Sequence, residues 1–275
     1  MNRLIRAVVV GTMVSAAAAL AAEGTSDPLP SVPKPLPAAW LSPSRHPRWV
    51  CTPEELKATR LELATSERIQ TFVKDQGELT ARFAKMSADQ LIALVPRAKS
   101  QFVYGLGMNI DPVYKQRMRW AGWNRPFVMR DIKGQEYPNT AWPDHGDGVP
   151  DPKTGERYYF VAQANAKIIQ LLEQRILPAL ADVYALSGSR PHARAGAVLL
   201  DAVANVYPTN RRGPLDYPTA RSNYSWGGRL DRPGYQTARG LMNYVHAIDL
   251  LVPSGELERP SHFAKAETIR EQVIR

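Results

Sequence analysis

"AKIIQLLEQRILPALADVYALSGSRPHARAGAVLLDAVANVYP", residues 166–208, decides the fold class. Ile168, Leu172, Ile176, Leu180 and Tyr184 recur every four residues, which is the signature of one buried helical face. Pro178 should kink or split this helix, because it lacks an N–H and its ring collides with the preceding turn. Gly188 is a good helix stop. Beyond it Ala195, Val198, Leu199, Ala202, Val203 and Val206 form a second stripe. Two helices joined by so short a turn must lie antiparallel.

The same grammar extends outward in both directions. In "TPEE", Thr52 is placed to cap a helix, with Pro53 in its first turn and Glu55 completing a capping box. The helical pattern then continues to about Lys85. "SADQ" repeats the device with Ser87 and Gln90, and Pro96 marks a boundary. On the far side, residues 234–255 carry Ala238, Leu241, Met242, Val245 and Ile248 as the next apolar stripe. A last helix is expected from about Ser261 through Arg275. Between these helical parts, residues 100–158 are rich in Gly, Pro and Trp. They read as a long structured loop region, and long loops in compact domains are often functional. No repeat of fixed period emerges, which argues against a regular solenoid.

The chain has 275 residues, 44% of them hydrophobic, enough for a substantial core. Arg3 and Arg6, then an apolar run to Leu20, then small residues, form a secretory signal. Residues 1–22 are therefore expected to be removed, leaving a Pro-rich extended arm over 23–45 and a domain over 46–275. Losing residues 1–21 removes Arg3 and Arg6 and no acid, so the formal charge falls from +9 to +7. An exported basic protein suits an acidic polymer such as a uronic-acid polysaccharide, although a merely basic surface reads equally well. No nucleic-acid motif is present, and no membrane association is expected once the signal is gone. Cys51 is the only cysteine, so neither an intramolecular disulfide nor a cysteine-built zinc site can form.

Four segments in order resemble one family. "HPRWVCTPEELKATRLELATSE" (46–67) looks like the opening helix of the heparinase II/III-like and alginate-lyase-like polysaccharide lyases. "YPNTAWPDHGDGVPDPKTGERYYFVAQANA" (137–166), "LPALADVYALSGSRPHARAGAVLLDAVANVYP" (177–208) and "GYQTARGLMNYVHAIDLLVPSG" (234–255) are similar to segments that follow it in that family. The resemblance implies a mainly α chain, here an incomplete α/α toroid of antiparallel helical hairpins with a long aromatic, Pro- and Gly-rich loop region. It implies cleavage of acidic polysaccharide by β-elimination. There a Tyr or His base takes the C5 proton of the uronic acid, while Asn, His or Arg neutralises its carboxylate. The family's catalytic motifs follow the segment matched by "HAIDLLVPSG", and this chain ends about twenty residues after it. No catalytic residue is carried over, and little or no lyase activity is expected. A non-catalytic carbohydrate-binding protein and a helical interaction module are the other readings.

Three places could meet a ligand, and no cofactor is expected. In residues 137–160, Tyr137 and Trp142 could stack on sugar rings and Asn139 could bond hydroxyls or a carboxylate. Asp144, Asp147, Asp151 and Glu156 there could instead gather calcium, though their spacing does not fit an EF-hand. The segment could also simply pack Tyr158, Tyr159 and Phe160 into the core. In residues 221–232, Tyr224, Trp226 and Arg229 combine stacking with a guanidinium fork suited to carboxylates, or form an ordinary Gly-rich connection. On the helix of residues 235–251, Gln236, Arg239, Asn243 and His246 share a polar side opposite the apolar stripe. That side either lines a cleft or faces solvent. His145 and His192 read as surface residues.

Overall fold

The computed structural model of the chain describes residues 46–102, 110–209, 227–228 and 232–274, with only the backbone path given for 227–228 and 232–238. The chain is mainly helical. Helix α1 (Pro53–Glu62) starts on a complete capping box: Glu55 N donates to Thr52 Oγ1 at 3.2 Å and Thr52 N to Glu55 Oε2 at 2.9 Å. The pattern expected to run unbroken to Lys85 divides at Leu63–Ser66, and α2 (Glu67–Ala84) follows. The Ser87–Gln90 box opens the short α3 (Ala88–Ile92).

Residues 110–158 hold short strands. β1 (Arg119–Trp120), β2 (Met129–Arg130) and β3 (Glu136–Tyr137) form an antiparallel meander, with Trp120 opposite Met129 and Met129 opposite Tyr137. β4 (Val149–Pro150) and β5 (Arg157–Tyr158) make a second ribbon. Met118, Met129, Tyr137, Tyr158, Phe160 and Ala164 make a small core of their own under this layer.

Helix α4 (Phe160–Leu171) runs into a wider i→i+5 turn at Leu172–Ile176 and then into α5 (Leu177–Ser187). Pro178 follows that turn at once. The widened ladder accommodates a residue with no N–H to give and a ring that crowds the preceding carbonyl. The helix therefore changes pitch rather than splitting. Gly188 ends α5 in the left-handed region at φ 73° and donates to the Tyr184 carbonyl. Helix α6 (Arg190–Val206) then folds back along α5. Every residue of both predicted stripes is buried.

After β6 (Gly227–Gly228) and β7 (Arg232–Pro233) comes α7 (Gly234–Leu251). α5 lies at the centre of the main core, packed by α1, α2, α6 and α7. That surrounding explains why its sequence is apolar almost all round. The last helix, α8 (Ile269–Ile274), begins about eight residues later than expected. Ser261 Oγ instead accepts from the N–H groups of Phe263 and Ala264, turning the chain. Thr268 and Glu271 then form a capping box that starts the helix.

One inversion matters for function. The stripe Ala238, Leu241, Met242, Val245 and Ile248 was expected to face the core; the side chain of Ala238 lies outside the described residues, and Ile248 does pack, half-buried, against the main core. Leu241, Met242 and Val245 are exposed, and α7 buries Gly240, Tyr244, Ala247, Leu250 and Leu251 instead. The polar row containing Asn243 and His246 thereby turns toward α5. Both α7 and α8 pack on α6, and a groove of about 1130 Å³ opens along them.

Candidate functional site

The loop of residues 137–160 is a structural lead-in. Tyr137 is 1% exposed and stacks on Phe160 at 4.8 Å between ring centroids, so it has no face to offer a sugar. Trp142 packs edge-on against Tyr158 at 5.4 Å and covers the small core. Asn139 spends its side chain locally: Nδ2 donates to the Glu136 carbonyl, and Oδ1 accepts from Ala141 N and Trp142 N. Tyr137, expected as a sugar contact, is corrected to a packing role, while Asn139 and Trp142 are half-buried and engaged in turn-forming and packing contacts.

Two of the acids of the same loop, Asp144 and Asp151, are held by backbone N–H groups. Asp144 is buried. Its Oδ1 accepts from Gly146 N at 2.7 Å and Gly148 N at 2.9 Å, and its Oδ2 from Val161 N at 2.9 Å. A carboxylate at the first turn of α4 also meets the positive end of that helix. Asp151 accepts from Lys153 N, and its carboxyl is held below the usual range chiefly by that bond. Asp111 and Asp131 make the same kind of turn with three and two backbone N–H groups respectively. Aspartates that punctuate turns therefore imitate a metal loop in the sequence. Among the described residues no group of three or more His, Cys, Asp or Glu could hold a metal ion.

Tyr224, Trp226 and Arg229 lie outside the described residues, and Gln236 lies where only the backbone is described. On α7, Arg239 is exposed, Asn243 is half-buried and His246 is half-buried. His246 reaches across the α5–α7 seam, where its Nε2 lies 2.8 Å from Asp182 Oδ1. Asp182 is 7% exposed and is the only acid in the apolar run of α5. Burial pulls the imidazole downward, but the hydrogen bond to Asp182 and the charges of Asp182 and Asp249 outweigh it, so His246 is raised above its ordinary value. Its Nδ1 has no hydrogen-bond partner among the described residues.

One turn further along α7, Asp249 is 4% exposed and grips the start of the domain. It accepts from Arg48 N at 3.0 Å, Trp49 N at 2.8 Å and Val50 N at 3.1 Å, and His46 Nδ1 lies 2.6 Å away. Asp182 and Asp249 both bear on Cys51. Burial first, then Asp249 and Glu55, push its thiol up to about 12.

A third buried pair joins α6 to the C-terminal segment. Asp201 is fully buried and accepts from His262 N, with His262 Nδ1 at 2.9 Å and Ser261 Oγ at 2.9 Å. These are the residue types of a hydrolase triad in the wrong order. Nucleophilic activation needs the serine on the imidazole, whereas here both bond the carboxylate. This cluster fastens the chain and activates nothing. His192, read as a surface residue, is half-buried on α6 against Ser189, and burial lowers its imidazole below the ordinary value.

Asp182, Asp249 and Asp201 were not singled out from the sequence. The available signal was a lone acid inside each apolar helical stripe, since a buried charge needs a partner. No described helix is long and apolar enough to cross a membrane. Comparison with known proteins matches the chain to no family model, no curated protein and no solved structure.

Proposed function

We propose that this chain is an exported protein of the heparinase II/III-like and alginate-lyase-like kind, its helices those of an α/α toroid, which binds acidic polysaccharide without cleaving it. The His246–Asp182 pair carries the reading. A uronate needs its carboxylate neutralised, and the His246 imidazole, raised above its ordinary value beside the buried Asp182, keeps its proton to higher pH than a free imidazole and would then offer Nδ1 as a donor. Arg239 and Asn243 share its side of α7 and supply a guanidinium and an amide for the same ligand. An imidazole that neutralises the carboxylate as a cation cannot at the same time serve as the base, and β-elimination needs both.

Calorimetric titration of the mature chain with a uronic-acid oligomer tests this. A charge-assisted bond contributes about 1.5–3 kcal/mol, so Arg239→Ala and His246→Gln should each weaken binding roughly tenfold or more. Absorbance of unsaturated uronate should not develop. Unchanged affinity in both variants would overturn the site, and sustained turnover would overturn the absence of cleavage. A second reading, a helical protein-interaction module, draws on the exposed apolar side of α7.

A further inference from the structure

The groove along α6, α7 and α8 gathers an unusual share of the apolar surface. Its floor is Leu200, Val203 and Ala204 of α6. Of the ten large hydrophobic side chains exposed among the described residues, five line it: Trp49, Leu241, Val245, Phe263 and Ile274. Tyr207 and Tyr244 add two more aromatic rings to its walls. Water against so much apolar surface is costly, and a patch of this kind marks an interaction site. Polar side chains, among them Arg48, Asn205, Thr209 and Gln272, also line it, but apolar surface predominates.

We propose that the groove is the docking site of this chain's own Pro-rich arm, with Leu36–Leu41 as the seated segment. Three observations converge on that occupant. The first is where the undescribed N-terminal stretch ends, because the first described residue, His46, is itself a wall of the groove. Leu41 lies five residues before it and is within roughly 18 Å at full extension. The second is chemistry. Residues 28–41 contain Pro28, Pro30, Pro33, Pro35 and Pro37, and end in the uncharged run Leu-Pro-Ala-Ala-Trp-Leu. Pro-rich segments dock in aromatic-lined grooves because their extended helix is already formed and little chain entropy is lost. The third is the anchor. Asp249 holds the backbone of Arg48, Trp49 and Val50 at the groove wall. A short tether fixed there gives the arm an effective concentration of order mM, which a free partner must exceed. This inference stands apart from the polysaccharide reading and survives its failure.

The test uses two introduced thiols in the mature chain, Ala39→Cys and Val245→Cys, with a short bismaleimide. Val245 is exposed, so the change is compatible with folding, and the native Cys51 is buried. Ala39→Cys with Lys74→Cys, on the exposed side of α2, is the control pair. Linkage within one chain, in several-fold excess over the control, is the expected result. Linkage joining two chains would give the groove to a second copy and overturn the proposal. Equal yields in both pairs, or no linkage although both thiols alkylate, would overturn it as well.

Discussion

Asp249→Asn probes the clasp that ties the first described residues to α7. The carboxylate accepts from three backbone N–H groups and lies against His46 Nδ1. Charge-assisted bonds contribute about 1.5–3 kcal/mol each, so the gross interaction is of order 6–12 kcal/mol. Detachment limits the loss. Residues 46–50 would regain backbone freedom of about 1–2 kcal/mol each, or roughly 5–10 kcal/mol together. The difference is about 1–2 kcal/mol, less than the ~3–5 kcal/mol typical of breaking a buried charged pair because the released segment regains entropy. Asparagine keeps one acceptor but turns an amide against N–H donors. About 1–2 kcal/mol should therefore be lost, or roughly 2–8 °C in Tm for a domain of this size. Urea denaturation followed by circular dichroism measures it. A loss under about 0.5 kcal/mol with an unchanged slope would refute the clasp.

Cys51 should resist maleimide in the folded protein at pH 8 and react once the chain is denatured, because burial and nearby carboxylates push its thiol to about 12; mass spectrometry of labelled protein checks this. The His246–Asp182 pairing raises the folded imidazole above its unfolded value, so its stabilisation is complete below about pH 6.5 and is lost as pH rises through the folded value. The stability difference between the natural chain and His246→Gln should accordingly shrink with rising pH, and a difference that grows would contradict the pairing. Gly240→Ala would place a methyl 2.6 Å from Glu173 Oε2, a buried side chain of the widened turn. Despite the gain in helix propensity it should cost about 1–2 kcal/mol, read as a lower urea midpoint.

How much of this was legible in the sequence depends on where the governing force is local. Capping boxes at Thr52 and Ser87, the stop at Gly188 and the two stripes of α5 and α6 are set by neighbouring residues, and they read correctly. The start of α8 was equally local, since Thr268 and Glu271 spell a capping box, but Ser261 drew the boundary too early. The orientation of α7 was not local. Hydrophobicity alone turns Leu241 and Val245 inward, whereas two buried aspartates on different helices reward turning His246 and Asp249 toward their partners. The face so turned inward also buries Tyr244, Ala247, Leu250 and Leu251, and an acid buried with it needs its hydrogen bonds met. The loop at 137–160 misled for a related reason. Asp144 and Asn139 are chosen for turns, and the same side chains in the same Gly-rich setting also suit calcium or sugar.

The most direct test of the account follows the His246 imidazole by NMR while a uronic-acid oligosaccharide is added to the protein, with a neutral oligosaccharide of equal length as the comparison. The account predicts that the ring signals move and its titration shifts further upward with the uronate alone, as a second carboxylate meets Nδ1. Signals that stay in place at saturating uronate, or that respond equally to both sugars, would contradict it.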